Sequence, residues 1–203
     1  MEKYEKLASE LSIKKTVKAL NENGIETFIA ENIKDAKKEV LVLIPQGSEI
    51  LTMTSVTLDS IGITHEINES GKYVSIRKKL NSMDRNTQSQ EMSKLGTAPK
   101  FAIGSVHAVT EDGHILIASN TGSQLSAYVY GAENVIFIVG TNKIVKNTDD
   151  GIKRIYEHSF PLENERAKKA YGMNSAVNKI LILNKEFKQN RIKLVFVKEK
   201  LGF

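Results

Sequence analysis

The fold is indicated first by two short, uninterrupted apolar runs, Val40-Leu-Val-Leu-Ile44 and Val135-Ile-Phe-Ile-Val139. A strand that is covered on both faces has such a sequence, because neither row of its alternating side chains meets water. The first run is closed by Pro45 and Gly47, and the second by Gly140. The two runs therefore predict central strands of a sheet that has helices on both faces.

Strand and helix patterns alternate through the rest of the chain, which is typical of α/β proteins with a largely parallel sheet. We predict further strands over 25–29, 50–54, 63–67, 101–105, 180–183 and 192–197, and a hairpin from 106–109 to 114–117 through Glu111-Asp-Gly113. We predict helices over 4–23 (with its stop at Gly24), 31–39, 55–62, 124–130, 148–158 and 161–171. The expected architecture is a single α/β domain over 1–203, with three layers and a mostly parallel sheet.

A long polar helix is predicted over 73–95, where the apolar stripe is sparse. The sequence leaves three roles open for it: a lid, an arm that joins a homo-oligomer, or a plain exposed face.

Composition excludes several classes of site. The 203 residues carry a net charge of +5 and no cysteine, so disulfides, thiolate-bound metals, iron–sulfur clusters and thiol nucleophiles are excluded. The four histidines lack ligand spacing, and we expect no metal and no cofactor. The chain opens on charged residues and its apolar runs are far shorter than the ~20 residues of a membrane span, which predicts a cytoplasmic protein with no membrane contact. Basic residues are scattered, which argues against nucleic acid as a partner.

Four small, polar loops follow predicted strands, at 52–57, 104–107, 119–123 and 140–143. Ligands of α/β sheets bind at the carboxyl ends of strands, and hydroxyls and free amides suit a phosphate or carboxylate. Each loop also has a purely structural explanation as a helix cap, a strand end or an exposed lysine. The candidate ligand-binding residues are Thr54, Ser55, Thr57, Gly104, Ser105, Asn120, Thr121, Gly122, Ser123, Asn142 and Lys143.

Six motifs in and around these loops occur in order along the chain: Ile44-Pro-Gln-Gly47, Thr54-Ser-Val-Thr-Leu58, Gly104-Ser-Val-His-Ala-Val-Thr-Glu-Asp-Gly113, Ala118-Ser-Asn-Thr-Gly-Ser-Gln124, Val139-Gly-Thr-Asn-Lys-Ile-Val145 and Lys200-Leu-Gly-Phe203. Together they resemble the LUD domain, a lactate-utilisation family of bacterial proteins. The resemblance implies a fold similar to ribose-5-phosphate isomerase and CoA transferases, and a link to L-lactate oxidation beside iron–sulfur oxidoreductase partner proteins. Many members carry a cysteine cluster where this chain has Ala167–Ser175, so this chain resembles a cysteine-free subgroup.

Two residues are candidates for acid–base or nucleophilic chemistry. His107 follows the Gly104-Ser105 loop, and histidine titrates closest to neutral pH. Glu111 is suggested by the acidic residues that the related transferases and isomerases use. The alternatives are a structural histidine and a solvated Asp-Gly turn.

Three functions follow as hypotheses. The first is a protein that binds a small anionic metabolite, such as a short hydroxy or keto acid. The second is an isomerase- or CoA-transferase-like enzyme that uses Glu111 or His107. The third is a non-catalytic accessory or regulatory protein of a redox pathway.

Overall fold

The computed structural model describes residues 2–203, and its larger sheet has six strands. These are β1 (Glu26–Ala30), β2 (Glu49–Thr52), β3 (Val74–Ser75), β4 (Phe101–Gly104), β7 (Asn134–Gly140) and β10 (Ile192–Val197). Their order across the sheet is β1-β10-β7-β4-β2-β3, and all neighbours run parallel. The carboxyl ends of β2, β4 and β7 therefore lie side by side at one edge of the sheet.

A smaller sheet holds the other four strands of residues 2–203. They are β5 (Ala108–Thr110), β6 (Ile115–Ser119), β8 (Ile144–Val145) and β9 (Lys179–Leu183), in the order β8-β5-β6-β9. Strands β5 and β6 are antiparallel, and Gly113 between them has a φ of +84° that glycine adopts without strain. The predicted hairpin is confirmed, although nothing in its local pattern indicated that it belongs to a separate sheet.

Eight α-helices connect and cover the strands within the described residues. Their bounds are α1 (Glu10–Glu22), α2 (Ile33–Val42), α3 (Val56–Ile61), α4 (Ile63–Glu69), α5 (Ile76–Asn81), α6 (Ser89–Thr97), α7 (Thr148–Arg154) and α8 (Phe160–Tyr171). A π-helical turn, Ile155–Ser159, joins α7 to α8, and a second one spans Ala127–Gly131. Short 3₁₀ turns cover Glu2–Tyr4 and Thr141–Lys143.

Strand β7 is covered on both faces, as its sequence predicts. Phe137 is fully buried in a cluster that includes Val109 of the small sheet. Its neighbour Ile138 belongs to a second cluster, with Val40 of α2 and Leu58 of α3. The two clusters lie on opposite faces, because successive side chains of a strand point in opposite directions. The predicted α/β fold with a mostly parallel sheet is confirmed.

The other apolar run, 40–44, is not a strand, and this prediction was wrong. Its first residues end helix α2, in which Val40 is buried while Val42 is 80% exposed. Ala36, Val40 and Ile44 are four residues apart and buried together, which is helical spacing. The side chain of Asn32 accepts a hydrogen bond from the amide of Asp35 and starts the helix. The Asn32 cap and the four-residue spacing of the buried side chains identify this segment as a helix, whereas the apolar composition of the run does not distinguish a helix from a strand.

Two further predicted elements differ in type or length. Residues 63–67, predicted as a strand, lie in α4, which buries Ile63 and Ile67 one helical turn apart. The N-terminal helix, predicted over 4–23 within 1–24, begins only at Glu10, because the Ser9 side chain caps it by accepting from the amide of Ser12. Its predicted end is close to the observed one at Glu22.

The long polar helix predicted over 73–95 is also wrong. Residues 74–75 form β3, and two separate helices, α5 and α6, follow. Between them Asp84 accepts hydrogen bonds from the Asn86 amide and the Thr87 hydroxyl, while Gln88 accepts from the Asp84 amide. Such side-chain bonds give the backbone an alternative to helical pairing. The segment is therefore a short strand and two helices, and its role as a lid, an arm or an exposed face stays a prediction.

Replacing Phe137 by alanine should lower the free energy of unfolding by about 3–5 kcal/mol, because the ring is fully buried and meets Tyr128 edge to face at 4.8 Å. The matched control is Val42→Ala, which should change it by less than about 0.5 kcal/mol at an exposed helical position. Denaturant unfolding measures both. Equal losses in the two variants would contradict this placement of the core.

Candidate functional site

A cavity of about 170 Å³ opens at the carboxyl edge of the large sheet, where β2, β4 and β7 end. The segments that follow these strands supply much of its lining, and helix α8 and the end of the chain supply more. The residues around it include Met53, Thr54, Ser55, Thr57, Ser105, His107, Gln124, Tyr128, Lys143, Glu163, Arg166, Gly202 and Phe203. We call this space the inner cavity.

Lys143 contributes the amine of the inner cavity. Its Nζ lies 3.0 Å from the carbonyl oxygen of Val106, 3.1 Å from Ser105 Oγ and 3.3 Å from Thr57 Oγ1. The side chain is buried, and it makes no ion pair with a carboxylate of the described residues. Burial, and to a smaller extent the charge of Arg154, lower the pKa of the Lys143 amine to about 7.

Arg154 is a second buried cation close to this amine. Its Nη1 donates to the carbonyl oxygen of His107 and to Ser159 Oγ, 2.9 Å away. Its Nε and Nη2 have no hydrogen-bond partner among the described residues. Burial lowers the pKa of the Arg154 guanidinium to about 10. The two cations place a positive potential under the inner cavity.

His107 is half-buried in the wall of the inner cavity and stays neutral. Its Nδ1 lies 3.1 Å from the amide nitrogen of Ala118 and accepts that N–H, so the ring proton is on Nε2. Burial first, then the charges of Lys143 and Arg154, lower the pKa of the ring to about 3. His107 therefore acts as a hydrogen-bond donor through Nε2, and a base of pKa about 3 has little strength near neutral pH.

The hydroxyls of the cavity come from the loops after β2 and β4. Ser55 accepts from the Leu58 amide and caps α3, while the buried Thr57 and the half-buried Ser105 contact Lys143. Thr54 is exposed at the cavity mouth. Of the predicted ligand residues, these four and Lys143 are brought together around one space.

Two residues of α8 close the mouth of the inner cavity. Arg166 binds Glu163 through two parallel hydrogen bonds of 2.7 Å each. This pairing raises the pKa of the Arg166 guanidinium, and the ring of Tyr171 lies 5.5 Å from it. Gln124 also reaches the cavity, and its Oε1 accepts from the Ser119 hydroxyl 3.1 Å away, which leaves its NH₂ as a donor. Nothing in the sequence near the four loops pointed to α8.

A larger groove of about 610 Å³ adjoins the inner cavity and shares Met53, Thr54, Gln124, Glu163 and Arg166 with it. The predicted residues Asn120, Thr121 and Ser123 line this groove, not the inner cavity. So do Arg77 and Arg85, which belong to the segment predicted as a long polar helix. We call this space the outer groove; its lining holds three arginines against one glutamate.

Two backbone amides of the loop 119–123 are used within the loop itself. The Gly122 amide donates to Ser119 Oγ at 2.8 Å, and the Ser123 amide donates to Thr121 Oγ1 at 3.3 Å. Gly122 has a φ of +84° and lies against the Lys179 side chain, at the edge of a third cavity that also contains Arg77. The local bonds are those of a tight turn, which explains the small, polar composition of this loop.

Besides Gly122, three predicted site residues lie away from both spaces. A Cβ on Gly104 would overlap the Tyr128 hydroxyl, so this glycine makes room for packing. Asn142 is buried and its Oδ1 accepts from the Leu201 amide at 3.1 Å, which anchors the end of the chain. Glu111 lies in the hairpin turn and is bound to Lys15 at 2.9 Å and to the Ser12 hydroxyl. The structure thus separates Glu111 from the cavity that holds His107.

Residues 2–203 contain no group of three or more acidic or histidine side chains arranged to hold a metal ion. Over the same residues no helix combines the length and the apolar surface that a bilayer span needs.

Replacing Lys143 by methionine should change how stability depends on pH. The Lys143 amine has a pKa of about 7 in the folded state and near 10.5 in the unfolded chain. Between these two pH values the unfolded state binds more protons than the folded state, so the parent protein becomes more stable as pH rises. Methionine removes this gain. From pH 6 to 9 the free energy of unfolding of Lys143→Met should fall by roughly 2–3 kcal/mol relative to the parent.

The measurement is denaturant unfolding at several pH values, with the exposed Lys153→Met as the matched control. Lys153→Met should follow the parent at every pH. If Lys143→Met does the same, the buried amine titrates like an exposed one and the account of this site fails.

Comparison with known proteins agrees with this architecture. The family model described as the LUD domain matches residues 13–197. A solved structure, a DUF162 family protein from Deinococcus radiodurans, superposes with a TM-score of 0.57 at 8% identity, covering 95% of this chain and 99% of that one. At such low identity the likeness concerns the fold alone. No curated protein matches the sequence significantly. Since the family model spans nearly all of the sheet and every loop of the inner cavity, the chain belongs to the LUD domain family.

Proposed function

We propose that this protein binds a small organic anion, of the size of a short hydroxy or keto acid, in the inner cavity. The observation that carries the proposal is the Lys143 amine, which is buried at the cavity wall without a carboxylate partner among residues 2–203. A buried amine in this state favours a ligand that brings the missing negative charge.

The other groups of the cavity fit a carboxylate. The Nε2 of His107, the Ser105 hydroxyl and the NH₂ of Gln124 are donors that line the same space. Carboxylate oxygens accept several hydrogen bonds, and bonds to charged groups are the strongest of them. A volume of about 170 Å³ equals roughly five or six waters of about 30 Å³ each, which suits a molecule of a few non-hydrogen atoms.

The link between the LUD family and lactate, which the sequence resemblance implies, makes L-lactate and pyruvate the first anions to test. The lactate link and the iron–sulfur partner proteins rest on the family resemblance alone. The cytoplasmic location rests on the charged start of the chain and on its short apolar runs, and all three remain proposals. The geometry of the cavity supports the narrower statement, a small anion.

Binding should be coupled to protonation of Lys143. An anion beside the amine raises its pKa above about 7, so binding takes up a proton near and above neutral pH. Calorimetric titration with pyruvate and with L-lactate should show affinity roughly tenfold lower at pH 8.5 than at 6.5.

Two variants locate the binding site. Lys143→Met should weaken binding by roughly 10- to 150-fold, the loss of about 1.5–3 kcal/mol for a charge-assisted hydrogen bond. The matched control is Glu111→Gln, in the hairpin turn bound to Lys15, which should bind as the parent does. The proposal is wrong if no short organic acid binds, or if Lys143→Met binds as tightly as the parent.

A further inference from the structure

The three neighbours of the Lys143 amine suit its neutral form. The Val106 carbonyl oxygen, 3.0 Å away, can only accept and therefore takes one N–H. Thr57 Oγ1, at 3.3 Å, can accept the second N–H. A neutral amine then has one lone pair left, and the Ser105 hydroxyl at 3.1 Å is the group that can donate to it. The amine thus has its full set of partners without its third proton.

We propose that Ser105 and Lys143 form a nucleophile–base pair, with which this protein cleaves an ester or thioester of a small acid. The pair meets the geometric requirement for an activated nucleophile, since the hydroxyl is within hydrogen-bond reach of the base. It extends the proposed function, because the acid set free is the kind of anion that the inner cavity is proposed to bind. The low pKa of the amine, about 7, lets it accept a proton at neutral pH.

The reaction balances with water as the only co-reactant. Ser105 Oγ attacks the acyl carbon while its proton moves to Lys143 Nζ. The bond from the acyl carbon to the leaving alcohol or thiol then breaks, and Lys143 returns the proton to that group. Water next attacks the acyl-serine, Lys143 takes the water proton and passes it to Ser105 Oγ, and the free acid leaves. No atom changes oxidation state.

His107 is placed to stabilise the negative oxygen that forms during the attack. It follows Ser105 by two residues, and both side chains line the inner cavity. Because its Nδ1 is occupied by the Ala118 amide and its pKa is about 3, the ring presents a fixed, neutral Nε2–H donor. Donors that are oriented before the reaction need no reorganisation when charge develops.

The outer groove indicates what the leaving group carries. It continues from the mouth of the inner cavity and is lined by Arg77 and Arg85. Arg77 is held in place by its Nε and Nη2, which donate to the Thr52 carbonyl oxygen at 3.0 and 2.7 Å. An ester or thioester with a negatively charged alcohol or thiol part therefore suits the two spaces better than a neutral one.

The test is acylation by p-nitrophenyl acetate, followed by release of nitrophenol and by peptide mapping of the acetylated protein. The parent should carry the acetyl group on Ser105, with a rate that rises as pH passes through about 7. Ser105→Ala should lose the adduct, and Lys143→Met should slow its formation roughly 10²- to 10⁴-fold, the usual contribution of a general base. Ser60→Ala, at an exposed serine of α3, is the matched control and should react as the parent does.

Folding of each variant is checked by circular dichroism, and Lys143→Arg provides a second variant that keeps a cation but gives up no proton at neutral pH. It should be as slow as Lys143→Met. The proposal is overturned if the acetyl group resides on Lys143 or on surface lysines alone, or if Lys143→Arg reacts at the parent rate.

The two proposals fail separately. If the parent binds pyruvate or lactate in the calorimeter but forms no acyl-Ser105, the nucleophile–base pair is wrong and anion binding stands. If acyl-Ser105 forms and no short acid binds, the proposed function is wrong and the pair stands.

Discussion

The amine of Lys143 is hydrogen-bonded to segments that follow two other strands of the sheet. Lys143 itself follows β7, Ser105 and Val106 follow β4, and Thr57 lies in the first turn of the helix after β2. Strands β7, β4 and β2 are parallel neighbours, so their carboxyl ends meet at one edge. The convergence of residues 57, 105 and 143 is a consequence of strand order, and the amine fastens the three segments around the inner cavity.

Burying a positive charge on Lys143 is electrostatically unfavourable, and the surrounding side chains do not compensate for it. Arg154, whose charge acts on this amine, has no carboxylate partner among the described residues, and His107 stays neutral because burial and then both cations lower the pKa of its ring. Removing a charged amine from water is unfavourable unless an opposite charge is near. Burial therefore lowers the pKa of the amine, and an anion that enters the cavity raises it again. Affinity for anions and basicity at neutral pH are in this way two results of one arrangement.

Much of the fold followed from local sequence, and the errors have physical causes. The run 135–139 became β7 because both faces of the strand are covered, whereas the equally apolar run 40–44 belongs mainly to a helix. Short apolar runs do not distinguish a buried strand from a buried helix. The signals that do, the Asn32 cap and the four-residue spacing from Ala36 to Ile44, lie mostly outside the run itself.

The residues of the candidate site, too, could be predicted only in part from the sequence. The rule that ligands bind at the carboxyl ends of parallel strands is sufficient to group Ser105, His107 and Lys143 from the sequence alone. Glu163 and Arg166 could not be found this way, because α8 reaches the cavity only through tertiary packing. Glu111 shows the opposite error: its turn joins strands of the small sheet and rests against α1, where Ser12 and Lys15 bind it.

Both proposals depend on the protonation state of the Lys143 amine, and nuclear magnetic resonance can measure this state directly. Protein with ¹³C-labelled lysine is titrated with acid and base, and the Lys143 signal is assigned by its absence in Lys143→Met. We expect Lys143 to titrate near pH 7 and its pKa to rise when a short organic acid saturates the protein. A Lys143 signal that titrates near 10.5, the ordinary value for lysine, and stays there when such acids are added would contradict this expectation.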